Sequence, residues 1–283
     1  MPNKKDESAI VKILPEFEVR QFFSELKKRG KLEKNEGISI ATLSFPIVTK
    51  SNKKDKKDKS HPKYNNSPII QKIIQEREPD ILLCAGYTIS NKVLPAILKT
   101  TKTTKTTIVL EVYDDYKDNR MKNLIIQGGE PINPPSTICF VNNCQAQAKC
   151  CVNDLDNQIS QRNFKISDKN VFLLICGEVT AVHCVRGEQT RFRNSITKEL
   201  KNAIDKSSIR LNPNHTYMKP CSLRQGKFLS MYGKIYVRVA NWKHGTKFRS
   251  STIHKLWMDG LEQRANIAHC PIDVACYHEW LVH

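Results

Sequence analysis

Short apolar runs alternate with segments of helical periodicity along most of this chain, and few protein folds accommodate such an order. Residues 38–45 alternate apolar with small or polar side chains as a strand does, whereas apolar residues recur every three or four positions over residues 19–26. Because strand-like runs persist to residue 239, the sequence predicts one α/β domain rather than two. The predicted strands are residues 38–45, 81–84, 108–112, 124–126, 137–141, 171–175, 209–211 and 235–239. The predicted helices include residues 19–26, 69–74, 93–98 and 192–204.

Length and apolar content narrow the class of protein further. The chain has 283 residues, of which 39% are hydrophobic, so it can bury a full core. Its apolar stretches all fall short of the ~20 residues that a membrane-spanning helix needs. The opening segment lacks the continuous apolar core of a secretory signal. We therefore expect a cytoplasmic protein that does not enter the membrane.

An excess of positive charge is the second compositional feature. The chain carries 46 Lys and Arg against 28 Asp and Glu, a formal net charge of +18. Residues 51–60 hold five lysines and no apolar side chain, and we predict a surface loop there. Residues 99–107, KTTKTTKTT, are predicted to form a second polar loop. Such loops would attract nucleic acid or an acidic protein. No aromatic residue interleaves with the lysines to stack on bases, which favours plain solvated loops.

The chain has ten cysteines, and their spacing bears on metal binding. A cytoplasmic protein is not expected to build a disulfide framework, so ordinary buried thiols are the favoured interpretation. Structural zinc sites usually contain closely spaced cysteine pairs, and no C-x-x-C occurs in this sequence. The sequence therefore predicts no metal and no cofactor. The looser groups of possible ligands are Cys139, Cys144, Cys150 and Cys151, and His269, Cys270, Cys276 and His278.

Cys176 stands at a position that suits a nucleophile. It follows residues 171–175, the most apolar run of the chain, and Gly177 comes directly after it. A side chain on such a strand-to-helix bend is exposed, and the backbone N–H groups beyond it can stabilise an oxyanion. A thiol there can act as a nucleophile if a base or a cation favours its thiolate. Buried cysteines at strand ends are also common, so the residues alone leave both interpretations open.

Five segments, in this order, resemble the nitrilase, or carbon–nitrogen hydrolase, superfamily. They are ISIATLSF, PIIQKIIQEREPDILLCAGY, VFLLICGE around Cys176, IRLNPNHTYM and KIYVRVANW, and they lie within residues 36–245. The resemblance implies a nitrilase-like αββα sandwich over residues 36–250, preceded by an N-terminal helical extension over residues 1–35. Residues 251–283 would then be a C-terminal tail available for dimer contact. The resemblance also implies a homodimer.

The resemblance further implies hydrolysis of a non-peptide C–N bond in a small amide or carbamoyl compound, through a cysteine thioester. The family uses a cysteine nucleophile, a glutamate base and a lysine that supports the tetrahedral intermediate, often with an accessory glutamate. The base glutamate of the family follows a proline at the end of the second strand, where this chain has Cys84-Ala85-Gly86 and no carboxylate. Glu111 in the next strand is the candidate base, since a buried carboxylate must be paired or perform a task. A structural ion pair is the other interpretation of Glu111.

The remaining roles are carried over by order along the chain. Lys149 best matches the family's lysine, whereas Lys165 is nearer to Cys176 in sequence but falls in a predicted polar loop. Glu178 is the candidate accessory carboxylate, or a residue favoured at the start of a helix. The candidates for contact with the substrate are His215, Asn212 and Tyr87.

Two other hypotheses stay open. The missing Pro-Glu and the positive charge also fit a nitrilase-fold protein that has lost the reaction and acts as a binding or regulatory module. Such domains accompany nucleic-acid machinery in bacterial defence loci, which the resemblance leaves possible here. A cysteine-based redox or zinc protein is the third hypothesis.

Overall fold

Strands and helices alternate along the chain, as the sequence predicts. The computed structural model describes residues 12, 14–33, 37–50, 59–113, 121–139, 141–185, 188–215, 221–246, 250–271 and 273–283. The helices are α1 (Glu16–Lys28), α2 (Ser67–Glu76), α3 (Leu94–Thr101), α4 (Lys149–Asp156), α5 (Ile159–Arg162), α6 (Lys198–Lys206), α7 (Cys221–Leu229) and α8 (Ser250–Ile253). The strands are β1 (Ile38–Ser44), β2 (Pro46–Lys50), β3 (Lys59–Pro62), β4 (Ile81–Cys84), β5 (Ile89–Ser90), β6 (Thr107–Tyr113), β7 (Lys122–Gln127), β8 (Glu130–Pro131), β9 (Asn163–Ile166), β10 (Lys169–Leu173), β11 (Val182–His183), β12 (Arg191–Phe192), β13 (Ile209–Asn214), β14 (Ile235–Ala240), β15 (Trp242–Lys243), β16 (His254–Met258), β17 (Leu261–Gln263), β18 (Ile267–His269) and β19 (Cys276–Val282). Short 3-10 helices cover Asn91–Val93, Gln145–Gln147 and Cys176–Ala181.

Two large mixed sheets form the centre of the molecule. The first has the order β18-β19-β1-β4-β6-β7-β8, and β5 also pairs with β6. Strands β1, β4 and β6 run parallel, whereas β19 runs antiparallel to β1. The second sheet has the order β17-β16-β14-β13-β10-β9, with β10, β13 and β14 parallel. All side chains of β1 are buried, as expected of a strand with both faces covered.

The alternation of side chains along each strand sorts the apolar residues between two faces. On β6, Ile108 packs with the helices that cover the first sheet, whereas Val109 lies in the core between the sheets. On β10, Phe172 packs with the helices of the second sheet, and Val171 lies between the sheets. Helices α1 to α3 cover the outer face of the first sheet, and α4, α6 and α7 cover that of the second. The predicted αββα sandwich is therefore confirmed.

Residues 251–283, which the sequence analysis set apart as a tail, supply strands β16 to β19. Strand β16 pairs with β14 in the second sheet, and β19 pairs with β1 in the first. This segment is therefore part of the sandwich. The sequence pattern concealed it because His278 and Glu279 interrupt the apolar residues of β19, and Glu279 is buried in an ion pair with Arg77 at 2.8 Å. The predicted dimer contact of this segment stays a prediction.

The strand predicted at residues 137–141 is wrong for the described residues 137–139 and 141, which lie outside any strand. Their backbone groups are bonded to side chains rather than to a neighbouring strand. The N–H of Thr137 donates to the side-chain oxygen of Gln158 at 2.7 Å, and the N–H of Cys139 donates to Glu178 at 2.8 Å. Hydrophobicity alone does not reveal this competition between side chains and a sheet partner.

Other predicted elements begin or end at different residues in the structure. Residues 99–107 are not a loop throughout, because α3 continues to Thr101 and β6 begins at Thr107. The helix predicted from residue 192 begins only at Lys198, where the Thr197 hydroxyl caps it by accepting from the N–H of Leu200 at 3.2 Å. Of the lysine-rich run, residues 51–58 lie outside the described residues. Among the described helices, none combines the length and the apolarity required to cross a bilayer.

Candidate active site

Cys176 lies at a sharp turn beyond β10. Ile175 still packs between the two sheets, and a 3-10 helix begins at Cys176. The φ of Cys176 is +48°, in the left-handed region that residues other than glycine rarely adopt and that recurs at active sites. Nδ2 of Asn212 holds the turn by donating to the carbonyl oxygens of Leu174 and Cys176, at 2.6 and 3.0 Å. The turn leaves the thiol side chain partly exposed at the rim of the core between the sheets.

Glu178 fixes the same turn. Its carboxylate accepts hydrogen bonds from the N–H groups of Ile175 at 2.7 Å and Cys139 at 2.8 Å. Arg162 donates to both oxygens, at 2.6 and 3.1 Å, and both side chains of this pair are fully buried. Burial raises the pKa of the Glu178 carboxyl, whereas Arg162 and the N–H groups favour its charged form. Glu178, the predicted accessory carboxylate, therefore has both oxygens engaged in holding the turn that carries Cys176. Arg162 was not identified from the sequence, because nothing in its polar surroundings indicates burial.

His215 links Cys176 to Glu111. Its Nε2 lies 2.8 Å from each carboxylate oxygen of Glu111, and the side chain of Cys176 lies near enough to the imidazole to raise its pKa. The Glu111 side chain is 1% exposed and also accepts hydrogen bonds from the N–H of Tyr87 at 2.7 Å and from Nδ2 of Asn123 at 3.4 Å. A thiol, an imidazole and a carboxylate therefore lie next to one another, and the imidazole is hydrogen-bonded to the carboxylate. This is the order of groups in cysteine–histidine catalytic sites.

Gly86 makes room for the imidazole. A Cβ at this position would lie 2.3 Å from Cδ2 of His215, far inside ordinary contact distance. The N–H of Gly86 donates to the carbonyl oxygen of Asn214 at 2.9 Å, which fixes the residue before His215 against the end of β4. The His215 ring therefore fills the space in which a side chain at position 86 would begin.

The groups around His215 favour its protonated form. Burial by itself lowers the pKa of the imidazole, but the Glu111 carboxylate and the Cys176 side chain outweigh it and hold that pKa well above its ordinary value. The ring of Tyr87 packs against the imidazole, with 4.4 Å between the ring centroids. Burial raises the pKa of the Tyr87 phenol, so it keeps its proton at neutral pH. The arrangement places the Cys176 thiol beside an imidazole that favours its protonated form, with a neutral phenol next to them.

The structure thus brings four of the sequence-predicted site residues together, and two others hold the turn that carries Cys176. Asn212 was predicted to contact the substrate, but its amide is occupied by the backbone of the Cys176 turn, and the hydroxyl of Tyr236 donates to its Oδ1 at 2.8 Å. Glu178 supports the same turn. The four residues brought together are Cys176, His215, Glu111 and Tyr87.

The two candidate lysines are placed elsewhere. Lys149 is exposed at the first residue of α4, in the outer helical layer, and Lys165 is exposed on β9. Among the contacts of the described residues, neither lysine forms a hydrogen bond or an ion pair with Cys176, Glu111 or His215. The assignment of Lys149 rested on order along the chain, which does not fix distance in the fold.

Comparison with known proteins adds evidence about the fold. No family model matches the sequence, and no curated protein sequence matches it either. A cysteine-to-alanine mutant of the amidase from Nesterenkonia sp. AN1 in complex with butyramide superposes with a TM-score of 0.50 at 8% identity, over 89% of this chain and 94% of that chain. A structure of a cysteine-to-alanine mutant of the same amidase, described as from the nitrilase superfamily, gives 0.50 at 7% identity over the same shares, 89% and 94%. The chain has the nitrilase-superfamily fold. The fold implied by the sequence resemblance is confirmed, and at these identities the comparison extends to the fold alone.

The nitrilase fold explains why residues distant in sequence meet. Cys176 follows β10, His215 follows β13 and Tyr87 follows β4, while Glu111 lies near the carboxyl end of β6. These strands run parallel within their sheets, and ligands of open α/β sheets bind outside the carboxyl ends of the strands. The two sheets therefore bring these side chains to one end of the sandwich.

Proposed function

We propose that this chain hydrolyses a C–N bond of a small amide or carbamoyl compound, with Cys176 as the nucleophile and His215 as its general base. The observation that supports this most directly is the position of His215 at the carboxyl ends of the strands, where it is hydrogen-bonded to Glu111 and has the Cys176 side chain as a neighbour that raises its pKa. A cysteine-to-alanine mutant of the Nesterenkonia amidase forms a complex with butyramide, and a glutamate-to-leucine mutant carries the acetamide moiety of fluoroacetamide added covalently at its active-site cysteine. Small aliphatic amides are therefore the first substrates to test.

In the acylation step, His215 takes the proton of the Cys176 thiol, and the sulfur attacks the carbonyl carbon of the substrate. The C–S bond forms, the C–N bond breaks, and the imidazolium gives its proton to the departing amine. The raised pKa of His215 favours this transfer from the thiol, because it stabilises the imidazolium beside the thiolate. The product of this step is a thioester on Cys176.

In the deacylation step, a water molecule attacks the thioester carbon while His215 takes one of its protons. The C–S bond breaks, the carboxylic acid leaves, and the proton returns to the sulfur. In both steps Glu111 orients the imidazole and stabilises its charged form, and it is a positioning residue in place of the base that the sequence analysis assigned to it.

The developing oxyanion needs donors that replace the lysine of the family. Gly177 directly follows the nucleophile. After a strand-to-helix turn, the backbone N–H at this position can donate to the oxyanion. A Cβ at position 177 would lie 2.4 Å from the carbonyl oxygen of Val141, so only glycine fits this close backbone approach. The protonated phenol of Tyr87 is a second possible donor, in line with its predicted role in substrate contact.

Alkylation with iodoacetamide, followed cysteine by cysteine with mass spectrometry, tests the nucleophile. The exposed thiols of Cys144 and Cys150 serve as internal controls in the same protein. We expect Cys176 to react faster than both at neutral pH, and His215→Asn to reduce its rate to that of the controls. Equal rates for Cys176 and the controls in the native protein would remove the nucleophile from the proposal.

Hydrolysis is then measured as ammonia released from a panel of small aliphatic amides and carbamoyl compounds. We expect turnover by the native chain and none by Cys176→Ala. A reactive Cys176 without turnover of any compound would favour the binding or regulatory module. Binding of nucleic acid or of an acidic protein through the lysine-rich run, residues 51–60, stays a prediction. For nucleic acid its test is the dependence of DNA and RNA affinity on salt, since phosphate contacts release counterions.

A further inference from the structure

A second cluster of chemically reactive side chains lies apart from the Cys176 turn. It consists of Cys270, Cys276 and His278, each of which offers one possible ligand atom within 4.8 Å of the others. Cys270 follows β18, and Cys276 and His278 stand two residues apart on β19, on the same face of the strand. The antiparallel pairing of β18 with β19 brings together residues that the sequence spacing keeps apart.

Two sulfurs and one imidazole nitrogen form a donor set that suits a thiophilic divalent ion. Zinc takes thiolate and imidazole ligands in tetrahedral geometry, and Cys2His sites complete the fourth position with solvent. Cys276 is fully buried, and His278 is 7% exposed. Nε2 of His278 is buried without a hydrogen-bond partner among the described residues. A buried unpartnered nitrogen is costly in a protein core, so it requires an explanation.

The surroundings hold the imidazole of His278 in place. Its ring stacks on that of His254, with 4.5 Å between centroids and 11° between planes. Both nitrogens of His254 are engaged, Nδ1 with the hydroxyl of Thr42 at 2.6 Å and Nε2 with that of Ser44 at 2.7 Å. His254 is therefore not free to bind a metal, but it fixes the plane of the neighbouring ring. A cavity of about 590 Å³ is lined in part by both histidines and Trp280.

Cys270 and Cys276 are joined by a disulfide in the structure. The sequence predicts free thiols here, because its spacing does not show that strand pairing places these two residues side by side. A disulfide and a thiolate-bound metal exclude each other, because the metal requires both sulfurs as thiolates.

We propose that Cys270, Cys276 and His278 bind one Zn²⁺ when the cysteines are reduced, and that the disulfide is the metal-free, oxidised form of the same site. A dithiol reductant supplies two electrons and two protons, which break the S–S bond and give two thiols, and the reductant becomes a disulfide. Binding of Zn²⁺ then replaces the two thiol protons, which pass to solvent. The site does not depend on Cys176 chemistry, because none of its three residues hydrogen-bonds with Cys176, His215 or Glu111 in the described part of the chain.

The test uses the full chain, reduced with a phosphine and then loaded with Zn²⁺ or Co²⁺. After removal of excess metal, we expect one Zn²⁺ per chain and a thiolate-to-cobalt charge-transfer band with Co²⁺. Protein in which the Cys270–Cys276 disulfide is intact should show neither. Cys176→Ala should bind the metal as the native chain does, so failure of the proposed hydrolase would leave this result unaffected.

Variants locate the ligands. Cys270→Ser and His278→Asn should each weaken Zn²⁺ binding by about 100-fold or more, since even residues behind metal ligands contribute about 10- to 100-fold. Cys144→Ser, which removes an exposed thiol, is the matched control and should bind normally. Because Cys276 lies in a buried strand, the decisive variants are the other two, with circular dichroism to show that they fold. Absence of the cobalt–thiolate band in the reduced native chain, or its persistence in both variants, would overturn the proposal.

Discussion

Replacing Gly86 by alanine would show whether the position of the His215 ring, and not only its presence, is required. The φ of Gly86 lies outside the left-handed region, so alanine can adopt the same backbone conformation. Its Cβ would lie 2.3 Å from Cδ2 and 3.0 Å from Nε2 of His215, whereas ordinary contact begins at 3.4 Å. The ring must therefore move by about 1 Å, since the new methyl group is fixed to the backbone.

A movement of this size is large compared with the tolerance of the hydrogen bonds. Nε2 of His215 lies 2.8 Å from each oxygen of Glu111, so a shift of about 1 Å takes the ring beyond hydrogen-bond distance of at least one of them. Misplacement by about 1 Å costs about 100-fold in rate. Overpacking of this kind costs about 1–3 kcal/mol in the free energy of unfolding. We expect Gly86→Ala to lower the alkylation rate of Cys176 and any amidase kcat/KM to this extent.

The matched control is the same substitution in a His215→Ala background, where the obstructing ring is absent. Urea denaturation of the four proteins gives a double-mutant cycle. We expect Gly86→Ala to change the free energy of unfolding by less than about 0.5 kcal/mol in that background. Equal destabilisation in both backgrounds would refute the reasoning, and so would native reactivity of Cys176 in the Gly86→Ala protein.

Three other predictions follow from the same contacts. The folded-state pKa of His215 is raised, so its ion pair with Glu111 stabilises the fold fully below the unfolded pKa of ~6.5 and loses this effect as the pH rises through the folded pKa. In urea denaturation, Glu111→Gln should therefore lower the free energy of unfolding, relative to the native chain, by more at about pH 6 than at about pH 10. A loss of unfolding free energy that grows with pH would contradict this. Arg162→Met leaves the Glu178 carboxylate buried and unpaired and should lower the free energy of unfolding by about 3–5 kcal/mol in the same assay, whereas a loss below about 1 kcal/mol would show that the pair is not structural. Lys149→Ala should leave kcat/KM unchanged in the ammonia-release assay, because this side chain is exposed on the outer helical layer, and a large loss would restore the lysine role implied by the family resemblance.

The layers of the fold could be predicted from the sequence because side-chain periodicity is a local property. The alternation of Ile108 and Val109 already assigns each to one face of β6, and the apolar run before Cys176 already indicates a buried strand. The hydrogen-bond partner of the Cys139 N–H could not be predicted, because it is the side chain of a residue 39 positions away.

The site was predictable only in part, for a related reason. Glu111 is recognisable in the sequence as a candidate because it is a carboxylate in an apolar strand. Its partner His215, however, is 104 positions away and follows a strand of the other sheet. The position of Lys149 in the order of elements does not show which layer of the fold its helix joins. The absence of a carboxylate near Gly86 was visible in the sequence, whereas the His215 ring that lies against Gly86 was not.

Strand β19 pairs with β1 from Ile38 opposite Val282 to Ser44 opposite Cys276, so the centre of the first sheet joins segments far apart in the chain. Contacts between residues so far apart in the sequence form slowly. Closing the large loop between them costs conformational entropy before the contacts can stabilise the fold. During synthesis on the ribosome, β1 emerges long before its partner, and its unpaired edge is then open to association with other nascent chains. Completion of this sheet therefore waits for residues 276–282, which are synthesised after its other strands.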